Sequence, residues 1–241
     1  MSKRMDRKQA ARFMREQQAR ERARKRRIVV SIVAAAVLLA AGLIGWGVYV
    51  NRYPSRYTTP TAASQQPGND GLPVGSGPVT VDVYLDFQCP ICKEFETSAG
   101  DTLNQLVADN KIKLVYHPVA FLDRASTTQY STRSAASAAC AADAGKLAPY
   151  VAELYREQRP EGSAGLSNDE LVAAAAKAGI TDPAFATCLK DGKYTDWVSH
   201  VTDQAVERGV TGTPTVYVNG KQVQASAQAV QAAVTAASAK S

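Results

Sequence analysis

The stretch Val79-Thr80-Val81-Asp82-Val83-Tyr84-Leu85-Asp86-Phe87-Gln88-Cys89-Pro90-Ile91-Cys92 decides how the rest of this chain is read. Residues 79–87 are dense in β-branched and aromatic side chains, which predicts a buried strand. Beyond Pro90 a helical pattern runs from Ile91 to about Asn110. A Cys-x-x-Cys pair that leaves a strand and opens a helix has the context of a redox motif. Three-residue spacing puts both sulfurs on one face of the first turn, where they can close to a disulfide or open to a dithiol with little backbone movement. Pro90 suits that turn, because its missing N–H would be unsatisfied there anyway. Cys89 lies at the helix N-terminus, where free N–H groups and the positive end of the dipole stabilise a thiolate. The thiolate is the attacking species in exchange. Cys89 is therefore expected to be the nucleophile, and Cys92, one turn deeper, the resolving thiol.

Two other uses of the pair are weaker. Zinc needs about four ligands at suitable spacing, and Cys140, Cys188, His117 and His200 do not supply it, so no metal and no cofactor are expected. A purely structural bridge between Cys89 and Cys92 would close too short a loop to add much stability.

Outward from the motif, Ile112 to Val119 reads as a second strand. An Ala-rich helical block covers 125–204, punctuated by Gly145, Pro149, Pro160-Glu161-Gly162, Gly179 and Gly192. Thr215-Val216-Tyr217-Val218 is a third strand. Asn219-Gly220 predicts a type I′ hairpin turn into Lys221-Gln222-Val223, and a closing helix runs from Ala225 to about Ala239. The block separates two strand-bearing halves, 78–124 and 205–241, that are each too small alone. It reads as a helical insertion into an α/β core.

Upstream, the chain changes character. It has 241 residues and a net charge of +6, which suggests nucleic-acid binding until the charges are located. Residues 1–27 hold twelve Lys or Arg against three acids, so the remaining 214 residues are at −3. Phe13 is the lone aromatic among those basic residues, and the pattern does not read as a nucleic-acid surface. From Ile28 to Val50 come 23 residues without a charge, long enough to cross a bilayer core with some tilt. Trp46, Tyr49 and Tyr53 mark its far end as an interfacial belt, and the basic cluster before it orients the N-terminus to the cytoplasm. A cleaved signal peptide is the competing reading. The long basic region, the over-long apolar run and the lack of an A-x-A site favour an uncleaved single-pass anchor. Residues 51–77, rich in Pro, Ser, Thr, Gln and Gly, read as a flexible tether.

Asp86-Phe87-Gln88-Cys89-Pro90-Ile91-Cys92, the helical insertion, and Gly212-Thr213-Pro214-Thr215 running into Val216-Tyr217-Val218-Asn219-Gly220 together resemble the DsbA-like branch of the thioredoxin superfamily, with the layout of its membrane-tethered actinobacterial members. The resemblance covers roughly residues 73–240. It implies a thioredoxin fold with an inserted helical domain, Cys89 attacking and Cys92 resolving. It also implies a cis peptide before Pro214, with Thr213 facing the cysteines as a rest for an extended substrate. Pro90 and Ile91, between the cysteines, complete the implied site. Exported reduced proteins would be the substrates, and a membrane quinone-linked partner of the DsbB or vitamin K epoxide reductase type the reoxidant. The sequence departs from the best-known members at Ile91, where they carry His. Ile cannot donate a hydrogen bond to a thiolate, which leaves oxidase and reductase both open. An isomerase is weaker, since no dimerisation domain is visible. A non-catalytic peptide-binding module is the reading from another class.

Cys140 and Cys188 fall in the helical block. An even cysteine count outside the cytoplasm favours a structural disulfide between them, with two free buried thiols or a second redox pair as the alternatives. Asp86 is either a turn or cap residue or a proton relay to Cys92. His117 reads as a satisfied structural histidine. His200 is placed in a helix, and Trp197 in the core.

Overall fold

The computed structural model describes residues 57–239, together with Leu39 and Gly42. The basic tail 1–27 and the expected membrane span 28–50 lie outside the described residues, apart from those two positions. No helix among the described residues is long and apolar enough to cross a membrane.

The central strand is β2, Val79–Leu85. Its alternation sends Val81, Val83 and Leu85 to one face and Asp82 and Tyr84 to the other. It runs parallel to β3, Ile112–Pro118, and antiparallel to β4, Thr215–Val218. β4 pairs with β5, Lys221–Val223, across Asn219 and Gly220. Both of those residues have positive φ, as a type I′ turn demands. With β1, Leu72–Val74, the described sheet has the order β1-β3-β2-β4-β5. Such a mixed sheet needs a crossover between its parallel strands, and helix α1, Pro90–Ala108, provides it.

Helix α1 turns Cys92, Phe95, Glu96, Ala99, Gly100, Leu103 and Leu106 inward, a three-and-four spacing that keeps one face buried. It stops at Asn110, whose φ of 52° lets Lys111 N–H reach back to Leu106 O at 2.9 Å. Five helices follow β3: α2 Tyr130–Asp143, α3 Leu147–Arg156, α4 Asn168–Lys177, α5 Pro183–Lys190 and α6 Thr195–Glu207. Helix α7, Ala227–Ser238, closes the described chain and packs against α1 and β4. The boundary of the helical block drawn at 204 falls inside α6, which runs unbroken to Glu207 and packs on β3.

The tether expected over 51–77 is corrected from residue 57 onward. Leu72–Val74 pairs antiparallel with β3, Leu72 opposite Tyr116 and Val74 opposite Leu114. Ala63, Asp70 and Leu72 are buried. Trp197 Nε1–H donates to Asn69 O at 2.6 Å, His200 Nε2 meets Gly68 O at 2.8 Å, and Tyr57 stacks on the His200 ring at 4.4 Å. Polar composition hid this strap because side chains of α6 satisfy its backbone, so it needs few apolar residues of its own. Pro73 argues against a central strand but is tolerated at a sheet edge, where β1 lies.

Candidate active site

The turn Asp86-Phe87-Gln88 carries the chain from β2 into α1. Cys89 is the N-cap residue, with extended backbone (φ −73°, ψ 120°), and Pro90 is the first helical residue. An N-cap oxygen would normally accept the free N–H groups of the first turn. Here no side chain caps the helix by hydrogen bonding, and the N–H groups of Ile91 and Cys92 act on the Cys89 sulfur. Both cysteines are free thiols. Cys92 is 1% exposed and Cys89 6%, so both are buried, the inner sulfur more completely.

That difference divides their acidity. The Cys89 thiol is lowered to about 6, first by the hydrogen bond from Cys92 and then by the Thr213 side chain and the two N–H groups, against the opposing effect of burial. Cys92 is pushed up, mainly by burial and further by its hydrogen bond to Cys89 and the charge there. The surroundings thus favour the thiolate at Cys89 and the protonated thiol at Cys92.

Thr213 and Pro214 arrive from the start of β4 and are joined by a cis peptide. Cys89 Sγ lies 3.4 Å from Thr213 O, to which it donates when protonated. Two segments separated by 124 residues therefore meet at the sulfur. Ile91 is 53% exposed beside it, an apolar side chain standing in solvent at the mouth of the site.

Asp86 is fully buried and serves the turn. Its Oδ1 accepts from Gln88 N–H at 2.9 Å and from Ser131 Oγ–H at 2.7 Å, and its Oδ2 accepts from Leu122 N–H at 2.9 Å. Burial raises its carboxyl to about 6, against the pull of those three hydrogen bonds. Its oxygens are thus engaged in tying the turn to α2 and to the segment after β3. Three further residues that hold the turn were not singled out in the sequence. Gln88 Nε2–H donates to Leu122 O at 2.7 Å, Tyr155 O–H to Asp86 O at 3.2 Å, and the Gln158 amide to Phe87 O and Cys89 O at 2.9 and 3.0 Å. Tyr155 and Gln158 lie about 70 residues downstream of their partners, and no local pattern marks them.

The remaining expected residues lie elsewhere. Cys140 on α2 and Cys188 on α5 are joined by a disulfide, with Cα atoms 6.1 Å apart. His117 is buried on β3, Nδ1 against Asp70 O at 2.9 Å and Nε2 against Asp82 Oδ1 at 3.0 Å, with Tyr84 stacked on its ring. Trp197 is fully buried.

The sequence model described as thioredoxin matches residues 75–236. Among curated proteins, the serine/threonine-protein kinase PknE of Mycobacterium tuberculosis is 33% identical over 132 residues, which cover 52% of this chain and 23% of the kinase. The match thus spans less than a quarter of that relative's length. Among solved structures, reduced DsbA from Mycobacterium tuberculosis is 32% identical with a TM-score of 0.57, covering 64% of this chain and 84% of that one. DsbG from the same organism is also 32% identical with a TM-score of 0.57, covering 66% and 82%. The chain belongs to the thioredoxin family, in its DsbA-like branch of thiol–disulfide oxidoreductases.

Proposed function

We propose that this chain donates disulfides to exported proteins outside the cytoplasm, through Cys89 and Cys92, while residues 28–50 hold it to the membrane. The reading rests chiefly on the opposed environments of the two sulfurs: Cys89 favoured as thiolate at a helix start, Cys92 sealed beneath it as a thiol. In the oxidised form a substrate thiolate attacks Cys89 Sγ, and the Cys89–Cys92 bond breaks with the electron pair and then a proton going to Cys92. A second substrate thiolate attacks its own sulfur in the mixed disulfide and releases Cys89 as a thiolate. Two electrons pass from the substrate dithiol to the cysteine pair. A stabilised Cys89 thiolate is the better leaving group and lowers the free energy of the reduced form, so it favours this direction.

Thr213 and Pro214, beside Cys89, would present backbone groups to an extended substrate, and Ile91 would meet its apolar side chains. A membrane quinone-linked protein of the DsbB or vitamin K epoxide reductase type would take the electrons on. Ile91 also supports a second reading, a reductase serving particular exported thiols, because it gives the thiolate no hydrogen bond or positive charge. The reduction potential of the pair separates the two. An oxidase is expected to lie clearly above thioredoxin's roughly −270 mV, towards the roughly −120 mV of a strong DsbA. A value at or below thioredoxin's overturns the oxidase reading.

A further inference from the structure

Helix α3 ends at Arg156, and two residues later Gln158 reaches back to the turn that launches α1. Its side-chain amide lies 2.9 Å from Phe87 O and 3.0 Å from Cys89 O. Both partners are carbonyl oxygens, so the end that faces them is the nitrogen, whose two N–H bonds can serve one each. Within the last turn of α3, Tyr155 O–H donates to Asp86 O at 3.2 Å. That same carbonyl accepts Cys89 N–H at 3.0 Å. The carbonyls of residues 86, 87 and 89 are thus all held from the C-terminal end of one helix.

The cysteine needs this hold. A helix start aims its free N–H groups along the axis, but whether they meet the Cys89 sulfur depends on the peptide orientation of the N-cap residue and the turn before it. Within residues 86–89 the turn has the Cys89 N–H bond to Asp86 O and the Gln88 N–H bond to the Asp86 carboxylate, and neither fixes the Cys89 carbonyl. Cys89 O also receives Lys93 N–H, at a longer 3.3 Å. Gln158 supplies the stronger second constraint.

We propose that Gln158 is a positioning residue for the Cys89 thiolate: by fixing the Phe87–Gln88 and Cys89–Pro90 peptide groups, it keeps the helix-start N–H groups trained on the sulfur. The inference rests on Cys89 being the exchanging nucleophile. It also gives the helical insertion a part in setting the reactivity of a cysteine that lies in the α/β core.

The test is Gln158→Met, of similar length and without a donor, in the full chain with both cysteines reduced. The first thiol titration is followed by ultraviolet thiolate absorbance, and the reduction potential is measured on the same variant. The midpoint should rise by about 0.5–1 pH unit, the size of one net hydrogen bond, and the potential should become more negative. If Gln158→Met does not fold, Gln158→Glu replaces it, since its ionised carboxylate offers only acceptors and should move the midpoint in the same direction. An unchanged midpoint and potential in a folded variant overturns the positioning role. If instead the unaltered chain titrates like an ordinary cysteine, near about 8.5, the nucleophile reading itself is lost and this inference with it, so the two failures are told apart.

Discussion

The two cysteine pairs differ in what surrounds the sulfur. Cys89 and Cys92 are three residues apart at the start of α1, where the first N–H groups have no helical partner. Cys140 and Cys188 are 48 residues apart and sit inside α2 and α5, where backbone donors are spent within the helix. The first pair shares one turn, so bridging it changes little else. The second joins two helices, so its bond restricts the chain. Reactivity here follows from position on a helix and from what the free N–H groups find, not from cysteine as such.

The sharpest way to break this comparison is to exchange the roles experimentally. Cys89→Ser should reduce thiol–disulfide exchange with a reduced, unfolded substrate by at least about 100-fold, because the Cys89–Cys92 disulfide can no longer form and no sulfur remains there for a substrate thiolate to attack, while the melting temperature changes little. Exchange that continues undiminished would point to the second pair or to a non-catalytic module. Replacing Cys140 and Cys188 together by Ser should do the reverse. The chain-entropy model gives roughly 4 kcal/mol for a loop of this length, as an upper figure. Denaturant unfolding should register most of that loss, with the exchange rate per folded molecule preserved.

Smaller effects sharpen the contrast at the turn. Asp86 has a carboxyl raised above its ordinary value, to about 6. A raised carboxyl stabilises the fold below the unfolded value and loses that contribution as pH rises through the folded one. Asp86 should therefore contribute a loss of about 1–3 kcal/mol between pH ~4 and pH ~6.5, beside that of the likewise raised Glu96, and Asp86→Asn should remove the Asp86 share of the slope. Paired chemical denaturation curves at the two pH values decide it. Smallest of all, Trp197→Phe removes the donor to Asn69 O and should cost about 1–2 kcal/mol. It should also make residues 57–74 easier to nick with protease while leaving exchange intact, since the strap belongs to neither cysteine pair.

The legible parts of this molecule were the contiguous ones. The strand 79–85, the cysteines that follow it, and the run from Gly212 to Val223 with its Asn219-Gly220 turn each carry their signal within a dozen residues. The strap did not, because three strand residues including Pro73 give no periodicity, and its anchors Trp197 and His200 come from α6. The shell around Cys89 did not either. Ser131, Tyr155 and Gln158 look like ordinary residues of a helical block, and only the fold brings them to the turn. Asp86 was visible as an acid beside the motif, but its tie to Leu122 N–H and Ser131 could not be read without the return of the chain after β3.

β1 has a bearing on self-association. Without it, β3 would be the border of the sheet and would offer a seven-residue row of backbone groups to any passing extended chain. Instead the border is three residues long and contains a proline with no N–H to give. At the opposite border β5 is equally short and presents exposed Lys221 and Gln222. Blunt borders of this kind leave an extended chain few free backbone groups to pair with at either side of the described sheet.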